Sequence, residues 1–458
     1  MDNHFDVIIV GAGPAGIFSA IEISKNSSLR ILLLEKGKNV EQRKCPIGNT
    51  TTTCLNCQPC SIMCGWGGAG AFSDGKLTLT TEFGGWLDRY MEKESLQSYI
   101  DYVDKIYVYY GAPDRIFGED AEEFEELRLK FARYNLKLIP ARIRHMGTEN
   151  TIKVLKNIRR DIDKKLTIKT SEIVEDIIVS DQQVKGVKTK KAVYYASRVI
   201  LAPGRDGAEW FSDQAKKLNI PVRNNQVDIG LRIELPAVTM QEITDKIWEP
   251  KIVFNTCEFD DIVRTFCVNP NGHVVMENTN GIITVNGHSY ANSKSNNTNF
   301  ALLLSQEFTE PFDKPILYGR CIASLANMLS GSLIVQRYGD LKRGRRSTPN
   351  RIKKGTVEPT LKGAVPGDLS LVLPHRYMVG IRECLETLDL AIPGIASEHN
   401  LLYGIEAKFY SARPQLNNSL QTDIEGLWAI GDGAGVTRGL IQASVSGIIA
   451  ARDVLSKQ

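Results

Sequence analysis

The stretch Phe5-Asp6-Val7-Ile8-Ile9-Val10-Gly11-Ala12-Gly13-Pro14-Ala15-Gly16 decides the fold of the N-terminal part of the chain. Its apolar first half predicts a buried strand, and the residues after the glycine turn predict a helix over about 14–25. A second apolar run at 30–34 predicts a strand that ends on Glu35. This order of strand, glycine turn, helix, strand and acid is typical of a dinucleotide-binding unit.

Each glycine of this turn has a physical reason. The first permits the tight turn, the second lets the backbone approach a pyrophosphate, and the third lets the helix pack closely on the strand. The pyrophosphate is expected at the N-terminus of the helix, where free N–H groups and the helix dipole favour anions. Glu35 is expected to accept hydrogen bonds from the adenosine ribose. The predicted cofactor contacts here are Gly11, Gly13, Pro14, Ala15, Gly16 and Glu35.

The composition is that of an ordinary globular protein. The chain has 458 residues, of which 42% are hydrophobic and 24% are charged, which excludes global disorder. No apolar run approaches the ~18–20 residues of a membrane-spanning helix, so no membrane association is expected. The 56 basic and 53 acidic residues nearly cancel, so net charge favours no polyanionic partner. The N-terminal residues do not resemble a targeting peptide, and a cytoplasmic location is expected.

Two later stretches carry glycine turns after apolar strands. Leu427-Trp428-Ala429-Ile430 runs into Gly431-Asp432-Gly433, which resembles the turn of FAD enzymes whose Asp binds the ribityl and pyrophosphate region. The next helix is expected to direct its N-terminus at the flavin ring. Residues 198–204 resemble another flavoprotein strand, with Pro203 where threonine is usual. A second GxGxxG is absent, so no separate NAD domain is expected. The predicted cofactor contacts are Gly204, Gly431, Asp432, Gly439, Leu440 and Gln442.

Four further stretches resemble one family. Residues 65–77, 264–267, 285–289 and 297–301 are similar to motifs of the FAD-dependent dehydrogenases known as NAD(FAD)-utilizing dehydrogenases. The resemblance spans most of the chain and implies FAD and redox chemistry. It also implies an α/β fold with a Rossmann-like FAD-binding domain of the glutathione-reductase-like type. The implied parts are a discontinuous FAD-binding domain at 1–80, 145–225 and 395–458, a helical insertion at 81–144, and a mixed α+β substrate or cap domain at 226–394.

The small residues between Gly65 and Gly75 allow backbone to approach a flat aromatic ring. We predict that this loop lies against the isoalloxazine or the pyrophosphate. Lys76 is then expected near N1–C2=O of the flavin, where it favours the anionic reduced form. The alternative is a glycine-rich loop that packs only against protein. The predicted cofactor contacts of the loop are Gly67, Gly68, Ala69 and Gly70.

Five of the nine cysteines lie between residues 45 and 64. Cys54, Cys57 and Cys60 have the spacing of three ligands of a [4Fe–4S] cluster, and Cys45, which precedes a proline, is the predicted fourth ligand. Cys64 is left without a ligand role. Tetrahedral zinc on the same thiolates, a redox-active disulfide and free thiols are the alternatives.

Three features of the middle region suggest substrate or partner contacts. His288, between Gly287 and Ser289, suits a general acid or base, and its alternative is a structurally bonded histidine. Arg264 suits a clamp for a substrate carboxylate, and its alternative is a structural ion pair. Cys267 is expected to be a small buried residue.

Seven cations at 342–354 suggest a solvated loop, or a docking site for an acidic electron carrier or anionic substrate. Nucleic-acid binding is not indicated.

The sequence therefore predicts an FAD-dependent oxidoreductase that transfers hydride between a small-molecule substrate and flavin N5. Electrons are expected to pass through a cysteine-bound cluster or through transiently bound NAD(P)H. The alternatives are a flavin monooxygenase or oxidase with structural cysteines, and an FAD-bearing protein that modifies or binds RNA.

Overall fold

The computed structural model describes residues 3–46, 55, 57–223, 225–279, 281–290, 293–306, 308, 312, 314–409 and 411–458. The chain divides into two compact units. Unit 1 comprises residues 1–115, 144–225 and 411–458, and unit 2 comprises residues 116–143 and 226–410. Among the helices of the described ranges, none has both the length and the hydrophobicity needed to cross a bilayer.

The described helices are α1 (Pro14–Asn26), α2 (Lys93–Tyr109), α3 (Ala121–Ala132), α4 (Thr148–Ile162), α5 (Ala208–Lys217), α6 (Gln241–Thr244), α7 (Pro315–Ser330), α8 (Tyr338–Lys342), α9 (Pro349–Lys353), α10 (His375–Ala391) and α11 (Leu440–Ser456). The described strands are β1 (Val7–Val10), β2 (Ile31–Glu35), β3 (Lys76–Thr78), β4 (Lys137–Ile139), β5 (Ile143–His145), β6 (Thr167–Thr170), β7 (Val174–Ser180), β8 (Gln183–Thr189), β9 (Val193–Tyr195), β10 (Val199–Leu201), β11 (Val222–Arg223), β12 (Val227–Pro236), β13 (Lys251–Asn255), β14 (Ile262–Asn269), β15 (His273–Thr279), β16 (Ile282–His288), β17 (Asn297–Gln306), β18 (Ile334–Arg337), β19 (Val365–Pro366), β20 (Leu401–Phe409), β21 (Arg413–Pro414) and β22 (Leu427–Ala429).

Unit 1 is built on a parallel sheet in the order β22-β10-β1-β2-β6. Every residue of β1 and β2 is buried, as expected where both faces of a parallel sheet are covered. Val10 lies beside Leu34 and Leu201, and Leu201 lies beside Ala429, so four strands end at one edge. The predicted Rossmann-like α/β fold is confirmed.

Helices α1 and α11 pack directly against each other in unit 1. The Ser19 hydroxyl donates to the carbonyls of Ala15 and Gly447, both at 3.0 Å. A Cβ on Gly447 would lie 2.2 Å from the Ala15 carbonyl oxygen, so glycine is required for this close approach. The contact fixes the two helices whose N-termini follow the glycine turns of β1 and β22.

Unit 2 contains an eight-stranded sheet in the order β19-β18-β20-β12-β17-β14-β13-β4. Alternate residues of β12 face opposite sides of the sheet. Its apolar residues, such as Ile229 and Leu231, join a core with residues of α10, among them Ile381 and Leu385. The opposite side carries Asp228, Arg232 and Glu234, all with 0% exposure. One face of this sheet is therefore charged and yet buried.

Two parts of the predicted domain division differ from the structure. The stretch 81–144 was predicted as one helical insertion, but it contains strands and is divided between the two units. Strand β4 of this stretch pairs with β13 and places Leu138 in the core of unit 2. Likewise, β20 pairs with β12, so residues 401–409 belong to unit 2 rather than to the predicted FAD-binding domain. A three-residue strand shows too little alternation to be read from sequence.

Candidate functional site

The carboxyl edge of the parallel sheet gathers the predicted nucleotide-binding residues. The turn 11–16 follows β1, Glu35 ends β2, Gly204 follows β10, and the turn 431–433 follows β22. A Cβ on Gly433 would lie 2.1 Å from the Gly204 carbonyl oxygen, so the last two turns touch. In open α/β sheets, ligands bind in the crevice outside this edge.

The glycines at this edge fall into two groups. Gly11 has φ +105°, and a Cβ there would lie 2.1 Å from the Ala202 carbonyl oxygen; at Gly16 a Cβ would lie 1.9 Å from the Gly11 carbonyl oxygen. These two positions need glycine because the protein packs against them. At Gly13, Gly204 and Gly439, in contrast, a Cβ would meet no protein atom within 4 Å. The second group borders open space at this edge, called the cradle below, which leaves room for the close approach of a dinucleotide.

Glu35 connects three backbone segments around this cradle. Its Oε2 accepts a hydrogen bond from the Ala12 N–H at 2.8 Å, and its Oε1 accepts from Gly37 at 2.8 Å and Gly65 at 2.9 Å. A carboxylate has about four lone-pair sites, so one acceptor site remains for a ribose hydroxyl. Glu35 therefore holds the site together, a role that the sequence pattern did not predict, and its ribose contact stays a prediction.

The glycine-rich loop after the cysteines lies against the first turn. The Gly67 N–H donates to the Ala12 carbonyl at 2.8 Å, and a Cβ on Gly68 would lie 3.1 Å from the Gly13 Cα. A Cβ on Gly70 would lie 2.5 Å from a Leu440 methyl carbon. The structure thus brings together the predicted contacts of the first turn, this loop and the start of α11, and the cofactor contact of partly exposed Ala69 stays a prediction.

Arg43 holds the backbone of the same loop. Its guanidinium donates to the carbonyls of Ser61, Ile62 and Trp66 at 2.7–2.9 Å, and it stacks over the Phe72 ring at 4.8 Å. Burial lowers the pKa of Arg43 to about 10, although Glu35 opposes this shift. Arg43 was not predicted from sequence because no local pattern marks its three distant acceptors.

Asp432 organises the turn between β22 and α11. Its Oδ1 accepts from the Thr437 hydroxyl at 2.9 Å, and its Oδ2 lies 3.4 Å from the Gly439 N–H. Burial raises the pKa of Asp432, opposed by Arg205 and by these two hydrogen bonds. Burying a carboxylate is unfavourable because it loses contact with water. Carboxylates with such shifted pKa values are typical of residues that bind a ligand.

Gln442, in the first turn of α11, has an unsatisfied acceptor. Its Nε2 donates to the Phe83 carbonyl at 3.2 Å, whereas its Oε1 is buried and has no hydrogen-bond partner. An orphaned buried amide oxygen costs about 1–3 kcal/mol, so a donor from a ligand would stabilise it. The position therefore fits the predicted cofactor contact.

Lys76 and Cys64 each interact with a neighbouring carboxylate of the protein. Lys76 forms an ion pair with Asp74 at 3.0 Å, and its predicted flavin contact stays a prediction. The Cys64 thiol donates to Asp206 at 3.0 Å, and Asp206 also accepts a hydrogen bond from Lys36. Burial is the largest cause of the raised pKa of Cys64, so it stays a neutral thiol.

The predicted [4Fe–4S] ligands do not form a metal site in the described residues. Cys45, Cys57 and Cys60 are partly buried free thiols, and Cys54 lies outside the described residues. Across the described ranges, no group of three or more His, Cys, Asp or Glu side chains is arranged to hold a metal ion. The residues described here do not fit the predicted cluster, and we derive no step through it.

The family-like motifs of the middle region meet inside unit 2 around Arg232. Its guanidinium makes a bidentate pair with Glu406 at 2.7 and 2.8 Å, and both side chains have 0% exposure. It also donates to the Asn299 Oδ1 at 2.7 Å and the Cys267 carbonyl at 3.1 Å. A Cβ on Gly287 would lie 2.2 Å from the Arg232 Nη1. These motifs therefore build a closed polar core.

The predicted catalytic residues of unit 2 have protein partners. Arg264 pairs with fully buried Asp228, which is the structural ion pair given above as the alternative to a substrate clamp. His288 faces His273 across the β15–β16 pair, and its ring lies 4.5 Å from that of Tyr290. Cys267 is partly buried and has φ +46°. The acid–base role of His288 and the substrate-binding role of Arg264 stay predictions.

Three neighbouring acids pair with four of the seven cations in the basic stretch of unit 2. Its ion pairs are Lys342 with Glu386 at 3.4 Å, Arg343 with Glu398 at 2.8 Å, Arg345 with Asp340 at 2.9 Å, and Arg351 with Asp340 at 4.0 Å. These ion pairs are structural, but Lys342 lies in α8 and Arg351 and Lys353 lie in α9, so the stretch is not the loop that was predicted. A docking role for this stretch stays a prediction.

Part of unit 2 is similar to a known protein family. Residues 227–409 match the family described as "FAD-dependent protein, C-terminal domain-like". An uncharacterized protein of Clostridium beijerinckii is 27% identical over 473 residues, covering 98% of this chain and 80% of the relative.

The chain is also similar in structure to an oxidase and a dehydrogenase of known structure. For glycine oxidase from Geobacillus kaustophilus the TM-score is 0.41 at 12% identity, covering 99% of this chain and 95% of that one. For L-proline dehydrogenase from P. horikoshii the TM-score is 0.43 at 13% identity, covering 100% and 95%.

Proposed function

We propose that the protein is an FAD-dependent oxidoreductase. The observation that carries the proposal is the open cradle at the carboxyl edge of the parallel sheet, where Gly13, Gly204 and Gly439 have no protein neighbour at the Cβ position. The match of residues 227–409 to an FAD-dependent family supports the choice of FAD over other dinucleotides.

We propose that different residues of unit 1 contact different parts of FAD. The pyrophosphate is held at the N-terminus of α1, where Pro14 occupies the first helical position and lacks an N–H that the ligand would otherwise have to satisfy. Glu35 directs its remaining acceptor site to the ribose, and Asp432 serves the ribityl side. The first turn of α11 presents free N–H groups and the Gln442 amide to the flavin ring.

When bound, FAD supplies a two-electron acceptor, and we propose hydride transfer between a substrate carbon and flavin N5. The positive end of α11 favours negative charge on the reduced ring. Arg43 and Glu35 hold the surrounding loops in fixed positions, which keeps the site organised before the substrate arrives. The electron partner stays a prediction.

The proposal is tested by cofactor analysis of two matched glycine variants. Gly13→Ala is expected to fold and to lose FAD, because its new methyl group enters the cradle. Gly363→Ala is the control, since a Cβ there also meets no protein atom within 4 Å but lies in unit 2. Wild-type protein and the control should release FAD on heating, and the bound flavin should be reduced by dithionite and reoxidised by ferricyanide. A flavin that remains fully bound in Gly13→Ala would contradict the proposed site.

A further inference from the structure

Two arginines of unit 1 face each other directly across a strand pair. Arg223 of β11 is paired with Arg413 of β21 in antiparallel register. Like charges opposite each other destabilise a strand pair. A third arginine, Arg89, is close enough to act on Arg413 electrostatically: burial lowers the pKa of Arg413, and the charges of Arg89 and Arg223 lower it further. The arrangement concentrates positive charge at one place.

Among the described residues, none of these three cations forms an ion pair with an acid. In the part of the chain that the structure describes, none of the guanidinium groups of Arg89, Arg223 and Arg413 pairs with a carboxylate, and the Arg413 Nη1 is buried with no hydrogen-bond partner. Asp88 is the acid that acts on Arg413 from nearby, and it is itself exposed. A buried, unpaired N–H of a cation is costly, so this grouping is expected to be completed by an anion.

Aromatic side chains fix the position of the group. The Arg413 guanidinium lies 5.8 Å from the centre of the Trp86 ring, within the range of a cation–π contact. Tyr90 is half-buried nearby, and burial raises its pKa against the opposing charges of Arg413 and Arg89. The phenol therefore stays neutral and is available as a hydrogen-bond donor.

Backbone hydrogen bonds tie this group to the flavin end of the proposed cofactor site. The Trp86 N–H donates to the Val436 carbonyl at 3.0 Å, and the Arg438 N–H donates to the Gly84 carbonyl at 2.6 Å. Gln442, whose free Oε1 was described above, donates to the Phe83 carbonyl at 3.2 Å. Residues 83–86 thus lie along the loop that leads into α11, on the side where the flavin ring is expected.

We propose that Arg89, Arg223 and Arg413 bind an oxyanion of the substrate, a carboxylate or a phosphate group, beside the flavin. The inference rests on the proposed function and adds a substrate class to it. Guanidinium groups bind both oxyanions bidentately, and Arg413 supplies the buried Nη1 that such a group would satisfy. The substrate is thereby anchored by its charged end while another carbon of the same molecule is oxidised or reduced.

The test is anion binding to the full-length, FAD-loaded protein at constant ionic strength. Benzoate represents the carboxylate and inorganic phosphate represents the phosphate, and each is titrated while the flavin absorbance spectrum is recorded. We expect one of them to bind saturably. Arg413→Met should weaken that binding about tenfold or more, the loss expected for a charged hydrogen-bond pair. The anion that binds names the substrate group.

Two further variants keep the test decisive if Arg413→Met does not fold. Arg223→Met and Arg89→Met remove exposed cations of the same group, and each should also weaken anion binding. Arg223→Met should not lower the melting temperature, because it removes a like-charge contact. Arg343→Met is the matched control, since Arg343 pairs with Glu398 in unit 2, and its anion affinity should equal that of the wild type.

Three outcomes would overturn the inference. These are equal anion affinity in all three variants and the wild type, the failure of both anions to bind the wild type, and the release of FAD by Arg413→Met, which would assign the arginines to the cofactor. Calorimetric titration of the flavin-free protein separates this inference from the proposed function. Anion binding that depends on Arg413 would support the anion site even if the chain took up no FAD.

Discussion

Gly13 and Gly287 both lie in motifs that the sequence marks as chemically important, yet their surroundings are opposite. A Cβ on Gly13 meets no protein atom within 4 Å, whereas a Cβ on Gly287 would lie 2.2–2.3 Å from side-chain atoms of Arg232, Asn299 and Asn269. The first glycine borders space for a ligand. The second packs against a polar core in which Arg232 bonds to Glu406 and to the Asn299 Oδ1.

The difference shows that a conspicuous motif has two physical meanings. At the edge of the parallel sheet, Gln442 keeps an acceptor without a partner, and the cradle beside it is open. Around Arg232, hydrogen bonds to Glu406, Asn299 and the Cys267 carbonyl use most of the guanidinium. The buried Asn299 Nδ2 also has no hydrogen-bond partner among the described residues, so the two regions differ in packing: open space at Gly13 favours a ligand, and close contacts at Gly287 favour a structural role.

The strongest effect is expected from Arg232→Met. It leaves the Glu406 carboxylate buried without its partner, and breaking a buried pair in this way costs about 3–5 kcal/mol. The midpoint of chemical denaturation should therefore fall sharply. Arg343→Met, which removes an exposed pair, should leave the midpoint almost unchanged. Equal denaturation midpoints for the two variants would show that the buried Arg232–Glu406 pair stabilises the protein no more than the exposed Arg343–Glu398 pair does.

A second experiment replaces each of the two glycines, Gly13 and Gly287, with alanine. Gly287→Ala is expected to destabilise the protein by roughly 1–3 kcal/mol through overpacking. Gly13→Ala should keep the wild-type melting temperature in flavin-free protein, because φ −77° and ψ −178° suit alanine before a proline. Its dissociation constant for FAD should rise at least about tenfold, or ~1.4 kcal/mol. A Gly287→Ala variant as stable as Gly13→Ala would show that the core is not closed.

The local part of this fold could be predicted from sequence, because a strand, a glycine turn and a helix are specified by neighbouring residues. Helix α1 was expected at about 14–25 and is found at Pro14–Asn26. The partners of Arg232 and Arg413 could not be predicted in this way. Arg223 and Arg413 meet only through the register of β11 and β21, and no spacing in the sequence marks that register.

The cysteine cluster and β4 also show that a local sequence pattern does not specify contacts between distant parts of the chain. The spacing of Cys54, Cys57 and Cys60 predicts a metal site from local pattern alone, but ligands must also converge in space, and among the described residues no group of three such side chains does so. Strand β4 joins the sheet of unit 2 although 81–144 was expected to be a helical insertion, because Leu138 finds its apolar neighbours in a distant part of the chain.

Glu35→Gln is expected to have an intermediate effect, because Glu35 both stabilises the protein and keeps an acceptor site for a ligand. It accepts three backbone hydrogen bonds and keeps one acceptor site for a ligand. An amide has one acceptor oxygen, so at least one of these N–H groups loses its partner, at about 1–3 kcal/mol. Both the melting temperature and the FAD affinity should fall, as measured by thermal unfolding and fluorescence titration. A fall in FAD affinity with no change in stability would assign Glu35 to the ligand alone.

The smallest effect concerns the pH dependence at Asp432. Its raised pKa means that the folded protein binds this proton more tightly than the unfolded chain does. Stability attributable to Asp432 is therefore present below the ordinary carboxyl pKa of ~3.9 and is lost as the pH rises through the higher folded value. In flavin-free protein, Asp432→Asn should gain stability relative to the wild type between pH 4 and pH 7, while its FAD affinity falls. A stability difference that is constant over this range would contradict the burial of an ionising carboxylate.

The central claim is that the open cradle in unit 1 holds FAD, and the flavin content of the wild-type protein tests it most directly. The protein is purified, incubated with excess FAD, freed of unbound cofactor and heated, and the released flavin is identified by chromatography. One FAD per chain is expected. The release of FMN, or of no flavin after this reconstitution, would contradict it.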